Sequence, residues 1–333
     1  MPSFGDFVRT QFLLKIPNPI VSFASKTVIV TGANGGLGKE AAKHIVRLGA
    51  STVILGCRSL SKGNAAKHEI ETVSGCGPSV LQVWELDIES PKSIQQFVDR
   101  ANALPRLDVL INNAGIQSQK FSVVYGTERT LAVNVIGTFL LALQLLPKLR
   151  ETARNYRTTP HMTFVGSAMY DVAKWPDQHG DNIFAWFEDK THFSAINQYS
   201  LSKLLQLYAV IQLSAIIDPS GTPTADSPSP VVINSLDPCF CKTGLPGELP
   251  VTMRVALRIF ELTARSAEEG ARLVVQTAAA GRETHGLYMR AGKVREYDPI
   301  ARDVEKAVYV WELLCKKLEG LQPGILQNLR ETE

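Results

Sequence analysis

The stretch "TVIVTGANGGLGKE", residues 27–40, combines an apolar run with four glycines placed within seven positions. Such a run followed by glycines predicts a buried strand, a tight turn and the start of a helix. Gly32, Gly36 and Gly38 would let an anion approach backbone N–H groups, and the helix N-terminus would add a partial positive charge. The stretch therefore predicts a site for a pyrophosphate; the alternative is a glycine turn that only reverses the chain.

Outward from this stretch, short β-branched runs alternate with helical patterns along most of the chain. The runs lie at 26–32, 51–57, 80–87, 107–115, 161–167 and 230–237, and the helical patterns at 36–48, 60–73, 90–103, 127–151 and 195–216. This alternation predicts an α/β fold with a doubly wound parallel sheet and helices on both faces. Right-handed crossovers would place the ligand crevice at the carboxyl ends of the strands.

Composition and charge are those of an ordinary globular protein. The 333 residues are 45% hydrophobic and 20% charged, with a net charge of +3, so no basic surface predicts a nucleic-acid partner. The five cysteines are odd in number and scattered, which favours reduced thiols and a cytoplasmic location over a disulfide framework. The "CFC" at 239–241 lacks the ligand spacing of a metal site, and we expect no metal.

The N-terminal residues, 1–24, are expected to form an arm outside the alternating pattern. No apolar run approaches the roughly 18 residues of a transmembrane span. Apolar residues recur near helical spacing in this arm, with Arg9 and Lys15 between them. We expect the arm to pack on the domain; the alternative is a weak contact with a membrane surface or a partner.

Two stretches interrupt the regular spacing of strands and helices. Residues 217–231 are mostly Pro, Ser, Thr and Gly, which predicts an exposed loop without catalytic residues. Residues 168–194 carry two Trp and three Phe among polar residues. A long connection of this composition is typical of a binding loop or lid.

Three motifs resemble those of the short-chain dehydrogenase/reductase family. They are the TGxxxGxG spacing at 31–38, "NNAG" at 112–115 and "YSLSK" at 199–203. Each stands at the end of a predicted strand or on the helix that follows. Their shared order makes chance agreement improbable.

The likeness extends over residues 25–320, and it implies a single Rossmann-type domain followed by a tail at 321–333. "SAEEGA" at 266–271 and "VWELL" at 310–314 look like closing elements of the retinol-dehydrogenase-like branch of the family. "GLYM" at 286–289 would be the last strand of a sheet of about seven strands.

The end of the second predicted strand, "GCRS", indicates which nicotinamide cofactor binds. Cys57 stands where a relative that binds NAD would have an acidic residue, and Arg58 follows. A guanidinium can bind the 2′-phosphate of NADP(H) with charge-assisted hydrogen bonds, and Lys39 and Lys62 would add to the positive field. We therefore expect NADP(H); the alternative is that Arg58 is only a solvated surface charge.

The resemblance also implies further cofactor contacts. Asp87 and Ile88 would flank the adenine, and the "NNAG" motif would line the adenosine ribose. The implied cofactor-binding set is Gly32, Asn34, Gly36, Leu37, Gly38, Arg58, Asp87, Ile88, Asn113, Ala114, Gly115, Tyr199, Lys203 and Thr243.

Tyr199 and Lys203 are four residues apart on a predicted helix and would therefore be neighbours on one face. A tyrosine hydroxyl has a reference pKa near 10, and a nearby ammonium would favour its phenolate form. On an arbitrary helix such a pair would be an amphipathic surface feature. Its place after the strand that ends in "FVGS", 164–167, favours a catalytic pair.

By resemblance, Ser167 would hold a substrate carbonyl oxygen beside the Tyr199 hydroxyl. The insert 168–198 between them is longer than is usual in the family, so it must loop out and return. Ser194 is a rival for this role, although no predicted strand precedes it. Asn134 matches the family's catalytic asparagine, which anchors a water that links Lys203 to solvent.

One position departs from the family pattern. Cys239 replaces a glycine that commonly follows Pro238, and we expect its Cβ to restrict the loop over the nicotinamide. The segment 242–260 would form a second wall of the substrate pocket. Its apolar residues, together with Trp175, Trp186, Phe187 and Phe193, predict a bulky, mostly apolar substrate.

The resulting functional hypothesis is an NADP(H)-dependent reductase of ketones or aldehydes, or the reverse alcohol dehydrogenase. A tailoring step in secondary metabolism would suit it, with lipid or retinoid metabolism as the alternative. The rival classes are a non-redox isomerase, dehydratase or cyclase on the same scaffold, and a non-catalytic protein that senses NADP(H). The resemblance also implies a homodimer paired through the long fourth and fifth helices.

Overall fold

A large, mostly parallel sheet runs through the residues that the computed structural model describes, which are 9–176, 180–218, 230–242 and 263–330. The strands are β1 Thr27–Thr31, β2 Thr52–Cys57, β3 Leu81–Glu85, β4 Val109–Asn112, β5 Val123–Val124, β6 Thr127–Glu128, β7 His161–Val165, β8 Val232–Asp237, β9 Tyr288–Arg290 and β10 Lys293–Arg295. The large sheet has the order β10-β9-β8-β7-β4-β1-β2-β3, in which only β10 is antiparallel to its neighbour. Because the order reverses between β1 and β4, the crevice predicted for a ligand opens at their carboxyl ends.

The helices cover both faces of this sheet, as the alternating sequence pattern predicts. They are α1 Gly36–Arg47, α2 Leu60–Ser74, α3 Pro91–Asn102, α4 Arg129–Tyr156, α5 Ile183–Glu188, α6 Ala195–Ile217, α7 Ala267–Thr277 and α8 Val304–Leu321. Local signals fix several of their starts: Ser90 caps α3, with Pro91 in the first helical position, and Ser266 forms a capping box at α7.

The core is divided by the sheet into two layers. In β1, Ile29 contributes to the layer shared with α3, α4, α6 and α8, whereas Val28 and Val30 contribute to the layer shared with α1 and α7. Side chains of successive residues in a strand point to opposite faces, so strands covered on both sides are apolar throughout. This explains why the sequence runs are continuous rather than alternating.

Helices α4 and α6 are the framework on which the site is built. Both are long and apolar enough to cross a membrane by length and composition alone, but 94% of the relevant window of α4 and 78% of that of α6 are buried within the domain. They therefore have the character of core helices. α4 also contains a π-helical segment, Ala132–Gly137, a feature that is frequent at functional sites.

The fold class and helix positions are confirmed, and the strand count needs a correction. Among the described residues the large sheet has eight strands rather than about seven, because β10 adds to the edge. The turn Ala291–Gly292 has positive φ at both residues, of 55° and 74°, which suits a two-residue hairpin. The small hairpin of β5 and β6 was also missed.

The described part of the N-terminal arm packs on the domain. Phe23 is fully buried, and Gln11 Nε2 donates to the carbonyls of Phe240 and Thr263 at 2.8 Å each. Leu13 and Ile20 remain exposed. The division into arm, domain and tail stays a prediction, but the tail too is in contact, since Ile325 is buried.

The aromatic connection at 168–194 is less of a lid than its composition predicts. Phe187 is fully buried in the core, and the Trp175 ring packs against Tyr208 and Tyr309, with centroids 6.3 and 6.5 Å apart. These side chains therefore do not line a pocket as predicted. Composition alone does not distinguish aromatics that anchor a loop to the core from aromatics that bind a ligand.

Helix α8 packs against α6, which the resemblance implied as a pairing surface. The buried face of α8 is formed by Ala307, Val310, Trp311, Leu314 and Leu318. α8 thus covers part of the surface of α6. The homodimer stays a prediction.

Candidate active site

The glycine turn after β1 is tied to the loop after β4. Asn113 Nδ2 donates to the carbonyl of Thr31 at 2.8 Å, and the Thr31 hydroxyl accepts from the N–H groups of Asn113 and Ala114 at 3.0 and 2.9 Å. Gly32 has a φ of +65°, which a residue with a side chain rarely adopts. The two motifs thus form one unit at the carboxyl edge.

Gly38 is required by close packing. An ideal Cβ there would lie 2.5 Å from Asn113 Nδ2 and 2.7 Å from the Gly32 carbonyl oxygen. The absence of a side chain at Gly38 therefore lets α1 begin directly beside the turn.

The N-terminus of α1 has the features of an anion site. Its N-cap is Gly35, which supplies no side-chain hydrogen bond, and Leu37 and Gly38 follow in the first turn. Asn34 lies exposed in the preceding turn. The donor set thus consists of backbone N–H groups with the positive end of the helix behind them, which fits a pyrophosphate.

Arg58 lies where β2 ends, as predicted, and its side chain is 62% exposed. It is not a free charge, since its Nη1 lies 3.1 Å from Glu89 Oε1. Glu89 also accepts from Arg129, with Nη2 at 2.7 Å. The sequence reasoning missed Glu89, whose partners are distant in the chain.

The residues around Arg58 differ in how strongly they would favour a bound phosphate. Cys57 is buried and offers no carboxylate to a ribose 2′-hydroxyl. Lys39 Nζ lies 2.7 Å from both oxygens of Glu69, so its positive charge is partly neutralised. The expected contribution of Lys39 to the positive field is therefore weaker than the sequence indicates.

Asp87 and Ile88, which were predicted to contact the adenine, lie in a loop that packs against α4 and the small hairpin. Asp87 Oδ1 accepts from the N–H of Glu89 at 3.0 Å, and the Ile88 carbonyl accepts from the Tyr125 hydroxyl. Gly137 closes on the same carbonyl, because an ideal Cβ there would overlap it. The loop is fixed, and Ile88 itself is buried.

Asn134 lies fully buried in the π-helical segment of α4 and fixes the loop after β4. Its Oδ1 accepts from the N–H of Ile116 at 2.8 Å, and its Nδ2 donates at 2.9 Å to both the Ile116 carbonyl and the Ser202 hydroxyl. An ideal Cβ on Gly115 would lie 3.2 Å from Asn134 Oδ1 and 3.8 Å from Lys203 Nζ. The asparagine thus joins the cofactor loop to α6.

Ser167 and Tyr199 meet despite the long insert between them. The Ser167 hydroxyl lies near enough to the Tyr199 phenol to lower the pKa of that phenol, and Ser167 also caps the turn Ala168–Val172 by accepting from the Met169 N–H at 3.2 Å. Ser194 is the N-cap residue of α6. This geometry favours Ser167 over Ser194 as the partner of the phenol.

The protonation of Tyr199 differs from the sequence expectation. Burial raises the pKa of Tyr199 to about 12; the Ser167 hydroxyl acts against this rise, and the Asp237 carboxylate adds to it. Lys203 Nζ lies over the Tyr199 ring, 5.9 Å from the centroid. Desolvation therefore outweighs the expected effect of the neighbouring ammonium, and the phenol is neutral at pH 7.

Lys203 is held by two oxygen acceptors. Its Nζ donates to the Val165 carbonyl at 2.8 Å and to Gln206 Oε1 at 3.3 Å. Burial lowers the pKa of Lys203 to about 7. The amine and ammonium forms are therefore both populated near neutral pH, which suits a group that exchanges protons.

In the loop after β8, Cys239 adopts a backbone conformation that is typical of glycine. Cys239 has a φ of +65°, so it adopts the left-handed conformation that glycine favours, and Asp237 Oδ1 accepts from its N–H at 3.1 Å. Asp237, which sequence reasoning missed, is buried and 3.5 Å from Arg290 Nε.

Part of the predicted site lies outside the described residues. Thr243 and the rest of the segment 242–260 beyond Lys242 lie outside the residues that the structure describes. The assembled residues are nevertheless sufficient to hold a dinucleotide beside a phenol, a hydroxyl and an amine.

Comparisons with known proteins agree with this arrangement. A family model described as short chain dehydrogenase matches residues 26–156. The chain is 36% identical over 330 residues to the short chain dehydrogenase/reductase dmxR8 of Cryptosporiopsis sp., covering 97% of this chain and 99% of that protein. It is 41% identical over 288 residues to the short chain dehydrogenase atnD of Emericella nidulans, covering 85% and 89%.

Solved structures show the same fold. A short-chain type dehydrogenase/reductase from Mycobacterium marinum superposes with a TM-score of 0.61 at 18% identity, covering 81% of this chain and 95% of that one. A short chain dehydrogenase from Shigella flexneri, solved in complex with NADP, gives a TM-score of 0.59 at 20% identity, covering 83% and 100%. At these identities the likeness concerns the fold alone.

Proposed function

Because the chain belongs to the short-chain dehydrogenase/reductase family of nicotinamide-dependent oxidoreductases, we propose that it interconverts a carbonyl group and an alcohol with NADP(H). The substrate is a bulky, mostly apolar small molecule. The observation that carries this proposal is the position of Lys203 Nζ over the Tyr199 ring, 5.9 Å from its centroid, with the Ser167 hydroxyl near enough to the phenol to act on its pKa.

The residues divide the work of carbonyl reduction. The Ser167 hydroxyl holds the carbonyl oxygen, and the neutral Tyr199 phenol donates a proton to it. Lys203, protonated below its lowered pKa, supplies the replacement proton, while Asn134 keeps the loop after β4 in place. When bound, the cofactor supplies or accepts the hydride. General acid catalysis of this kind contributes about 10²- to 10⁴-fold in rate.

The preference for NADP(H) rests on the end of β2. Arg58 is exposed and positioned to bind a 2′-phosphate, and Cys57 provides no carboxylate for the 2′-hydroxyl of NAD(H). The fold relative from Shigella flexneri was solved with NADP, which supports the same choice.

The substrate class rests on fewer residues than the sequence indicates, since Trp175 and Phe187 serve the core. Phe121 and Phe193 pack edge to face with centroids 5.9 Å apart, joining the loop after β4 to the loop before α6. This pair would form an apolar wall next to Tyr199. Fungal relatives such as atnD fit a tailoring step in secondary metabolism, carried out in the cytoplasm.

The test is NADPH consumption with a panel of apolar ketones, in wild type, Tyr199→Phe and Tyr208→Phe. Tyr208 is the matched control, because it lies buried on the same helix and its hydroxyl contacts the Ile300 carbonyl outside the site. Tyr199→Phe should keep NADPH binding and lose about 10²- to 10⁴-fold in kcat, whereas Tyr208→Phe should keep both.

Three outcomes would contradict the proposal. Turnover by Tyr199→Phe at the wild-type rate would show that the Tyr199 phenol takes no part in the reaction. Conversion of a substrate without consumption of NADPH would indicate a non-redox enzyme. Binding of NADPH with no conversion of any ketone, and no oxidation of the matching alcohols with NADP⁺, would favour a sensor.

A further inference from the structure

Gln206 connects two parts of the site that the motifs leave separate. It lies one turn after Lys203 on α6 and is 2% exposed. Its Oε1 accepts from Lys203 Nζ at 3.3 Å, and its Nε2 donates to the main-chain carbonyl of Asn134 at 2.9 Å. One side chain therefore spans from the lysine of α6 to the asparagine of α4.

The chemistry of the two partners suits an amide in this place. An ammonium has only donors and a carbonyl has only acceptors, so a group between them must accept on one side and donate on the other. The orientation of the Gln206 amide is fixed by the same argument. A carboxylate would satisfy only Lys203, and an apolar side chain would satisfy neither partner.

Packing does not explain the polar side chain. The neighbouring positions on α6, Leu204, Leu205 and Leu207, are buried leucines, and a leucine at 206 would match them. A buried amide is costly unless its hydrogen bonds are made. Both ends of Gln206 are paired, which indicates a role in holding these partners.

Resting on the proposed function, we propose that Gln206 is a positioning residue. Its side-chain amide holds the Lys203 ammonium in place and links it to the main-chain carbonyl of Asn134. By resemblance, Asn134 anchors a water that links Lys203 to solvent; the Gln206 amide joins Lys203 to Asn134 directly.

The link should also set the protonation of Lys203. An acceptor stabilises the ammonium form, so removing the Gln206 oxygen should lower the pKa of Lys203, and a carboxylate should raise it. Tyr199, on the same helix, is a titratable neighbour of Lys203, whose Nζ lies 5.9 Å from its ring centroid, and Asp237 at the end of β8 acts electrostatically on Tyr199. β7 contributes only the Val165 carbonyl, which does not titrate.

The experiment compares Gln206→Leu, Gln206→Glu and Gln144→Leu with wild type. Gln144 is a buried glutamine of α4, ten residues beyond Asn134 along that helix, and is the matched control. In the reduction direction, Gln206→Leu should lower kcat about tenfold and move the alkaline fall of kcat about one pH unit lower. Gln206→Glu should move it higher. Gln144→Leu should leave the pH profile unchanged, and all variants should keep the Kd for NADPH.

An NMR titration of lysine labelled at its ε-carbon measures the same quantity without turnover. The Lys203 signal, assigned by its absence in Lys203→Met, should titrate at lower pH in Gln206→Leu and at higher pH in Gln206→Glu. Equal titration in all three folded proteins would overturn the inference, as would a kcat loss in Gln206→Leu with no shift of the profile. A wild type that consumes no NADPH would refute the proposed function, and the titration would still decide the role of Gln206.

Discussion

The site has a cofactor half and a catalytic half, and different chemical groups form each of them. The cofactor half, around the turn after β1, is made mostly of main chain and glycines, and Arg58, the group predicted to bind the 2′-phosphate, is 62% exposed. The catalytic half, between α4 and α6, is made of buried side chains that bond one another, with Lys203 only 6% exposed. The difference predicts that substitutions in the first half act on binding and those in the second act on turnover.

Removing the amine of the catalytic half should have the largest effect. Lys203→Met keeps much of the side-chain volume and leaves the Val165 carbonyl and Gln206 without a donor. We expect kcat to fall about 10²-fold or more, since proton supply to Tyr199 is lost. Steady-state kinetics at saturating NADPH measure this. A variant that lost only cofactor affinity would break the division between the halves.

A single methyl group in the cofactor half should come next. In Gly38→Ala the new Cβ would lie 2.7 Å from the Gly32 carbonyl oxygen, so the turn must shift at a cost of about 1–3 kcal/mol in stability. NADPH binding should weaken about tenfold or more, while kcat at saturation changes little. Gly35→Ala is the control, because its Cβ would meet nothing within 4 Å.

These two glycine variants should be compared by thermal unfolding and by NADPH fluorescence titration. Equal stability and equal NADPH affinity in Gly38→Ala and Gly35→Ala would contradict the packing that places α1 against the turn.

Arg58 tests the electrostatic part of the cofactor half. Arg58→Ala should weaken NADPH binding about 10- to 100-fold, by loss of charge-assisted hydrogen bonds to the phosphate, and leave NADH binding nearly unchanged. Glu89→Gln sharpens the test, since the glutamate now pairs with Arg58 at 3.1 Å. Releasing that exposed pair should tighten NADPH binding about two- to fivefold. Equal losses for NADPH and NADH in Arg58→Ala would exclude phosphate recognition.

The pH dependence of wild type should be smaller, about tenfold between pH 6 and pH 8. Burial lowers the pKa of Lys203 to about 7, so the ammonium is present below this pH and lost above it. Reduction should therefore slow as pH rises through 7, and alcohol oxidation should accelerate. Initial rates in both directions measure this. A flat profile for both would show that Lys203 does not titrate in the working range.

The sequence predicts the cofactor half better than the catalytic half. Glycine spacing reports directly on main-chain geometry, so the turn follows from a local motif, whereas its contact with Asn113 was not predicted. Glu89 could not be found in this way, because its partners Arg58 and Arg129 lie far along the chain. For Gln206, the partner Lys203 is three residues away, but the other partner is a distant main-chain carbonyl, which any residue offers.

The burial of a side chain is the other property that sequence motifs do not predict. The expected lowering of the Tyr199 pKa by Lys203 was wrong because desolvation dominates. Trp175 and Phe187 were expected to line the pocket, but the Trp175 ring packs against Tyr208 and Tyr309, and Phe187 is fully buried in the core. For the edge strand β10, the sequence signal was the dipeptide "AG" at 291–292, whose glycine has positive φ in the structure. This dipeptide is a weaker turn sequence than "NG".

The most direct test follows deuterium from the cofactor. NADPH labelled at C4 of the nicotinamide, in separate preparations for each face, is incubated with the protein and a ketone of the apolar panel, and the alcohol is examined by mass spectrometry. The account predicts that one of the two preparations delivers deuterium to the carbinol carbon in wild type, and that Tyr199→Phe delivers almost none. A product free of deuterium from both preparations would contradict it.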